Sequence, residues 1–225
     1  KELYQIIFES DQPWVLSSNG TILDQSKKGI IPGLLERWYA ERKVLQKNMR
    51  DNQAAGNIEE TAYWDKRQLV KKINLNSLYG ALLNPGSRFN DPRMGQSTTL
   101  TGRTIARHMG AKVNELFTGI YDHVGDSIIY GDTDSVYFSA YPVFRQQIES
   151  GEFAWDKDKV TELYETVCEQ ANETFPDYMA TAHNVQNREQ GKIIAAAREV
   201  SATAGIYITK KRYAILVYDN EGHRE

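Results

Sequence analysis

Cysteine is almost absent. Cys168 stands alone among 225 residues, which excludes a disulfide scaffold and a cysteine-built zinc site. No apolar run approaches the ~18 residues of a membrane span, and no signal-peptide pattern is read at the start. There is no excess of positive charge. Lys and Arg number 27 against 30 Asp and Glu, a net of −3. That balance (pI about 5.9) argues against a protein that coats nucleic acid by bulk charge. It leaves room for one that binds through a local basic surface while holding carboxylates elsewhere. Internal repeats and low-complexity tracts are lacking as well. Lys1 rather than Met comes first, and a fragment, a processed product or a trimmed chain is expected. What is present is ordinary for a soluble globular protein: 40% hydrophobic and 25% charged residues, in a chain long enough for one or two domains with a core of their own.

Local patterns predict a chain of irregularly interleaved helices and strands. Asn19-Gly20 between Trp14 and Leu23 predicts a hairpin, because both turn positions favour φ > 0. Pro32 suits a first helical turn. A helix over about 33–50 carries the apolar stripe Leu34, Leu35, Trp38, Leu45 and Met49, interrupted by Arg42. After a turn at 51–57, a second helix over 58–81 completes an antiparallel helical hairpin. On it Lys72, Asn76 and Tyr79 form one line, with Val70, Ile73, Ser77 and Ala81 expected to pack on the other side. Helices are also expected over 95–122 and 158–174. Strands are expected over 127–130, 135–138, 192–196, 206–208 and 213–218. Strands joined by tight turns favour an α+β fold with antiparallel sheet.

Four clusters carry chemistry, each with a plainer reading beside it. In Tyr130-Gly131-Asp132-Thr133-Asp134-Ser135, two carboxylates two residues apart suit hard cations such as Mg²⁺; Asp-Thr-Asp is also ordinary turn chemistry. On the second helix, Lys72 offers a point charge to phosphate and Tyr79 a ring for a base, with Gly80 leaving space; taken alone, a solvated helix face with a tyrosine lid on the core is the stronger reading. Arg42, with Lys43 beside it, offers a bidentate fork to phosphate, or it snorkels from the helix flank. Lys210-Lys211-Arg212-Tyr213 offers cations to a nucleic-acid backbone, or it guards an edge strand.

Read in order, Lys-x-x-x-Asn-Ser-x-Tyr-Gly (72–80), Tyr-Gly-Asp-Thr-Asp-Ser (130–135) and Lys-Lys-Arg-Tyr (210–213) resemble the fingers and palm of family B DNA polymerases. The likeness is nearest to the T-even-type phage replicative enzymes. Asn19-Gly20, Gly29-Ile30-Ile31-Pro32, Arg42-Lys43, Arg88-Phe89 with Asp91 and Arg93, and Gly102-Arg103 support it, from about residue 17 to the end. The resemblance implies an antiparallel-sheet palm carrying a two-helix antiparallel fingers hairpin, with palm at 1–31 and 85–225 and fingers at 32–84. It implies template-directed extension of a primer 3′-end by two-metal phosphoryl transfer, using two Mg²⁺ ions or Mn²⁺ in their place. Asp132 and Asp134 resemble the palm carboxylates, Asp134 the more direct ligand, and Glu199 resembles a further one. Lys72 resembles the lysine that holds the triphosphate and serves as an acid toward pyrophosphate. Asn76 resembles a second triphosphate contact, and Arg42 the γ-phosphate clamp. Tyr79, with room from Gly80, resembles the residue under the nascent pair. Lys210, Lys211, Arg212 and Tyr213 resemble the primer–template grip. The implied partners are primer–template DNA, deoxynucleoside triphosphates and a sliding clamp reached through segments outside this chain. The implied location is the cytoplasm, the host's if the source is viral, with no membrane.

The departures matter as much. The family's other metal motif, Asp-x-x-Ser-Leu-Tyr-Pro-Ser, belongs upstream of residues 15–23 and is not found, nor are an Asp-x-Glu exonuclease motif and a thumb. Where the T-even-type enzymes place another lysine after the clamp arginine stands Gln46, with Lys47 beside it. The expectation is therefore a chain inactive alone, needing a complementary polymerase segment. The competing class is a non-catalytic nucleic-acid-binding or assembly module with a retired palm. A nucleotide cyclase would explain Asp132 and Asp134 but not the Lys72 face or Lys210–Tyr213.

Overall fold

The computed structural model describes residues 2–220 and 223–224. In chain order the elements are α1 (Glu2–Phe8), β1 (Trp14–Leu16), β2 (Ile22–Asp24), α2 (Ile30–Ala54), α3 (Ile58–Leu83), α4 (Pro92–Thr118), β3 (Ile128–Asp132), β4 (Ser135–Phe138), α5 (Tyr141–Glu149), α6 (Lys157–His183), α7 (Arg188–Gly191), β5 (Val200–Thr209), β6 (Arg212–Asn220) and β7 (His223–Arg224). The fold is α+β. The chain divides into two compact units, residues 1–18 with 99–225, and residues 19–98. No helix among the described residues is long and apolar enough to cross a membrane.

In the second unit, Gly20 takes φ +85° at the Asn19-Gly20 turn. α2 begins at Ile30, three residues earlier than the sequence suggests. Pro32 costs nothing there, because the first helical N–H groups have no intrahelical partner anyway. Its C-terminal end also extends, to Ala54, so the turn before α3 is shorter than expected. The face of α3 turned to α2 differs from the expected one. Val70 and Ile73 are 55% and 53% exposed. The half-buried line is Trp64, Gln68, Lys71 and Leu78. Its polar members bridge the seam: Arg42 Nε donates to Gln68 Oε1 at 3.2 Å, Lys71 pairs with Glu41, and the Lys71 ammonium lies over the Trp38 ring. Paired polar groups, rather than an apolar stripe alone, hold the two helices together.

In the first unit, α6 runs nine residues past its expected end, through Pro176 to His183. The reason is a continuous buried ridge of Val167, Ala171, Phe175, Met179 and His183 at four-residue spacing, which outweighs one missing helical hydrogen bond. Asp156 caps its start, accepting from the N–H groups of Asp158 and Lys159. Asn184 ends it at φ 56° and donates to the carbonyls of Ile7 and Trp14, both at 2.8 Å. Residues 192–196 are not the expected strand. Ala196 instead exchanges two hydrogen bonds with the side chain of Asn172, at 2.6 and 2.9 Å, so a helix side chain takes the place of a strand partner.

Buried His108 on α4 stacks on Tyr178, with ring centroids 3.9 Å apart. Its Nδ1 lies 2.8 Å from Tyr121 Oη and its Nε2 2.9 Å from Thr174 Oγ1. Burial, with Lys112 adding to it, lowers its pKa from 6.5 to about 4. A histidine depressed in the folded state stabilises fully above its unfolded pKa, and loses that contribution as pH falls from about 6.5 toward 4. The first unit is expected to lose roughly 2–3 kcal/mol across that window. His108→Gln should flatten the dependence in urea melts at stepped pH.

Candidate active site

Two hairpins of the first unit bring two of the four sequence-marked clusters together, residues 130–135 and 210–213. β3 pairs antiparallel with β4, Gly131 opposite Val136 and Asp132 opposite Ser135. Asp132 therefore ends a strand, and the turn itself is Thr133-Asp134. Thr133 sits at φ 54°, an uncommon conformation for a β-branched residue, and the turn closes with the Asp134 N–H donating to the Asp132 carbonyl at 2.7 Å. The hairpin is rooted by Asn114 of α4, which is almost fully buried. Its Oδ1 accepts from the backbone and hydroxyl of Ser127 at 3.1 and 2.8 Å, and its Nδ2 donates to the Ile120 carbonyl. Gly125 passes so close that an added Cβ would lie 2.1 Å from Nδ2. Such a fully bonded buried amide fixes the chain leading into β3.

The second hairpin is β5–β6. Thr209 pairs with Arg212, leaving Lys210-Lys211 as the tip, with Lys211 at φ 62°. Lys210 Nζ lies 3.6 Å from Asp132 Oδ1 and Lys211 Nζ 3.8 Å from Asp132 Oδ2. The lysine side chains are 72% and 71% exposed and Asp132 is 19% exposed. Pairs this open and this long add little stability; their content is placement, two cations beside one carboxylate. Asp134 is exposed, and its carboxylate makes no ion pair among the described residues. Tyr213, after Arg212 on β6, stacks into a group of tyrosines with Tyr130, Tyr137 and Tyr207. A hydrogen bond to Tyr213, then burial, raises the Tyr137 phenol well above its ordinary value, with Glu199 close enough to contribute. Burial raises Tyr207. These phenols stay neutral at working pH.

Glu199 itself is exposed. Its neighbour Arg198 is buried and pairs with Asp219 on β6 at 2.6 Å and with Glu165 on α6 at 2.9 Å. In the second unit, Lys72 and Asn76 are exposed and Tyr79 is half-buried on α3, and Lys72 makes no ion pair among the described residues. A Cβ at Gly80 would meet nothing within 4 Å. Arg42 is half-buried in the seam through its Nε, while its two Nη groups make no hydrogen bond among the described residues.

Carboxylates are the donors that Mg²⁺ and Mn²⁺ prefer. Among the described residues, however, no three metal-ligating side chains gather into one site. Asp132 and Asp134 fit such an ion in kind and fall short in number. The sequence did not single out Tyr137, Tyr207 or Arg198; they lie outside the motifs, and each acts through partners distant in the chain.

The first unit is α+β and carries a paired-carboxylate turn beside a basic hairpin tip; the second carries a helical hairpin with Lys72, Asn76 and Tyr79 on α3. The chain matches the family model for DNA polymerase family B over residues 9–149, and it belongs to that family. It is 32% identical over 199 residues to the DNA-directed DNA polymerase of Enterobacteria phage T4, covering 83% of this chain and 21% of that protein. Against the DNA-directed DNA polymerase of Escherichia phage RB69 it is 30% identical over 164 residues, 70% of this chain and 18% of that protein. The DNA polymerase delta catalytic subunit of Oryza sativa subsp. japonica is 37% identical over 112 residues, 49% of this chain and 10% of that protein. The chain thus spans about a fifth of the length of the phage relatives.

Proposed function

We propose that this chain supplies fingers and palm to a DNA polymerase that extends a primer 3′-end on a template. Residues 32–84 serve as the fingers, and 1–31 with 85–225 as the palm. The observation that carries the reading is the basic tip Lys210-Lys211 lying against Asp132 at the end of the carboxylate strand, in a chain of this family. One hairpin offers the oxygen ligands for divalent ions, and the other the cations for a DNA backbone.

The primer 3′-hydroxyl loses its proton to solvent and attacks the α-phosphate of a deoxynucleoside triphosphate, forming the new phosphodiester as the α–β phosphoanhydride bond breaks and pyrophosphate leaves. Two Mg²⁺ or Mn²⁺ ions would supply positive charge to offset the charge that develops during transfer. Asp132 and Asp134 would hold them, with Glu199 a further carboxylate nearby. Lys72 binds the triphosphate and donates a proton to the departing pyrophosphate. Arg42 clamps the γ-phosphate through its free Nη groups, and Asn76 contacts the triphosphate. Tyr79 packs under the nascent pair, with Gly80 leaving it room. Lys210, Lys211, Arg212 and Tyr213 grip the primer–template. Catalysis of this kind is mostly positioning and charge stabilisation. Cytoplasmic placement follows from such a role, and a sliding clamp would be met through other segments.

Two carboxylates underligate two ions, so the chain is proposed to be inactive alone and to work with a segment carrying a further metal-binding aspartate. Primer extension by the chain, alone and mixed with such a segment, tests this. Activity only in the mixture is expected. Robust extension by the chain alone would overturn the dependence. Failure of the folded mixture, together with no Mn²⁺ binding that depends on Asp134, would favour a non-catalytic DNA-binding module. In the active mixture, Lys72→Ala should lower kcat/KM for the incoming nucleotide about 10²-fold, near 2.7 kcal/mol, while primer–template affinity stays within about twofold.

A further inference from the structure

The two hairpins that form the candidate site belong to separate sheets and share no strand pairing. Side chains join their ends. The register of β3–β4 sets Tyr130 opposite Tyr137, and that of β5–β6 sets Tyr207 opposite Tyr213. Each of the four rings touches the other three. The six centroid separations run from 5.3 Å for Tyr137–Tyr213 to 5.8 Å for Tyr130 with Tyr207 and with Tyr213. Two polar contacts lock the group. The Tyr137 and Tyr213 hydroxyls share a hydrogen bond of 2.8 Å, and the Lys211 backbone N–H donates to Tyr130 Oη at 2.9 Å. The second of these holds the tip residue whose backbone is left-handed.

We propose that Tyr137 and Tyr207 are positioning residues: they clasp the tip of the β5–β6 hairpin to the carboxylate hairpin, and so fix where Lys210 and Lys211 meet DNA. The proposal rests on the polymerase reading above. Tyr130 and Tyr213 lie within motifs that already account for them; Tyr137 and Tyr207 do not. Long lysine side chains on an untethered tip lose much freedom on gripping a phosphate, and a tip fixed in advance loses less. With six ring contacts, the group behaves as one unit, so removing one ring loosens the whole tip.

The test is the affinity of the chain for a fluorescent primer–template duplex, read by anisotropy at fixed salt. Tyr207→Ala is expected to weaken binding about fivefold, Tyr207→Phe to restore it, and Tyr137→Phe to weaken it about twofold to threefold. In a Lys210→Ala/Lys211→Ala background, Tyr207→Ala should change affinity less than about 1.5-fold, because the groups it positions are gone. Hydrogen exchange gives a readout independent of DNA. The Lys211 amide should exchange at least about tenfold faster in both Tyr207→Ala and Tyr137→Phe, while the amides of α6 keep their protection. Equal losses of affinity with and without the lysines would overturn the clasp and leave the DNA grip standing. If Lys210→Ala/Lys211→Ala leaves affinity unchanged, the grip fails and the clasp with it. Should Tyr207→Ala unfold, Tyr137→Phe decides alone, and an unchanged Lys211 exchange rate there overturns the proposal.

Discussion

Replacing Arg198 with alanine is expected to destabilise the first unit by about 3–5 kcal/mol, near 10 °C in melting temperature for a chain of this size. The side chain is 9% exposed and its partner Asp219 5% exposed, with Nη1 and Oδ1 2.6 Å apart. The other face of the guanidinium reaches Glu165 through Nε and Nη2, at 3.2 and 2.9 Å. A carboxylate this deep is tolerated because a cation stands against it. Taking the cation away removes the charge that offsets most of the desolvation cost. The loss is in the uncompensated charge rather than in the strength of the pair, and a second variant separates the two. Arg198→Met with Asp219→Leu removes both charges while keeping volume, and is expected to recover most of the stability. Urea titration of the two variants checks this. Equal losses would place the cost in packing instead. The pair ties the residue just before β5 to the far end of β6, so the hairpin that carries Lys210 and Lys211 at its tip is anchored at its base by buried charge.

How far the sequence discloses this molecule depends on how far apart the interacting residues lie in it. The Asn19-Gly20 turn and the carboxylate hairpin are legible because their determinants sit within a few residues of each other. The α2–α3 pair is legible as two helices, but its seam is not. Hydrophobic spacing pointed to Val70 and Ile73, whereas Gln68 and Lys71 face α2 because Arg42 and Glu41 wait there. A polar pair across a seam leaves no apolar period to read. The end of α6 is hidden for a related reason: Pro176 signals a stop, and only the buried ridge on either side of it shows why the helix continues. Ile193 and its apolar neighbours resemble a strand, yet the Ile193 N–H donates to the Gln190 carbonyl and both backbone groups of Ala196 bond to Asn172, twenty-four residues before Ala196. Likewise the candidate site was readable as motifs, while the tyrosines that join its two hairpins come from stretches some seventy residues apart and carry no local signature.

Asp134→Asn is expected to lower primer extension by at least about 10³-fold, some 4 kcal/mol of transition-state stabilisation, in the chain mixed with its complementary segment. Primer–template affinity should stay within about twofold. The asymmetry between the two carboxylates makes the experiment informative. Asp132 is partly buried and already faces two ammonium groups, so Asp132→Asn removes a counterion for the basic tip as well as, on the proposed function, an ion ligand. It should alter both extension and DNA binding. Asp134 stands in the open at the turn, without an ion pair among the described residues. Its carboxylate is free for a cation, and its loss should be read in the chemistry alone. Mn²⁺ binding followed by electron paramagnetic resonance supplies a check that does not pass through catalysis: the bound fraction in the mixture should fall with Asp134→Asn. Activity kept within about tenfold after Asp134→Asn would remove Asp134 from the metal site, and with it the assignment of this turn as the catalytic one. On the proposed function, the same pair of carboxylates would let a chain of net charge −3 serve a polyanion. Part of its negative charge stands where divalent ions would cancel it, and the cations at 210 and 211 are held beside that place by the fold.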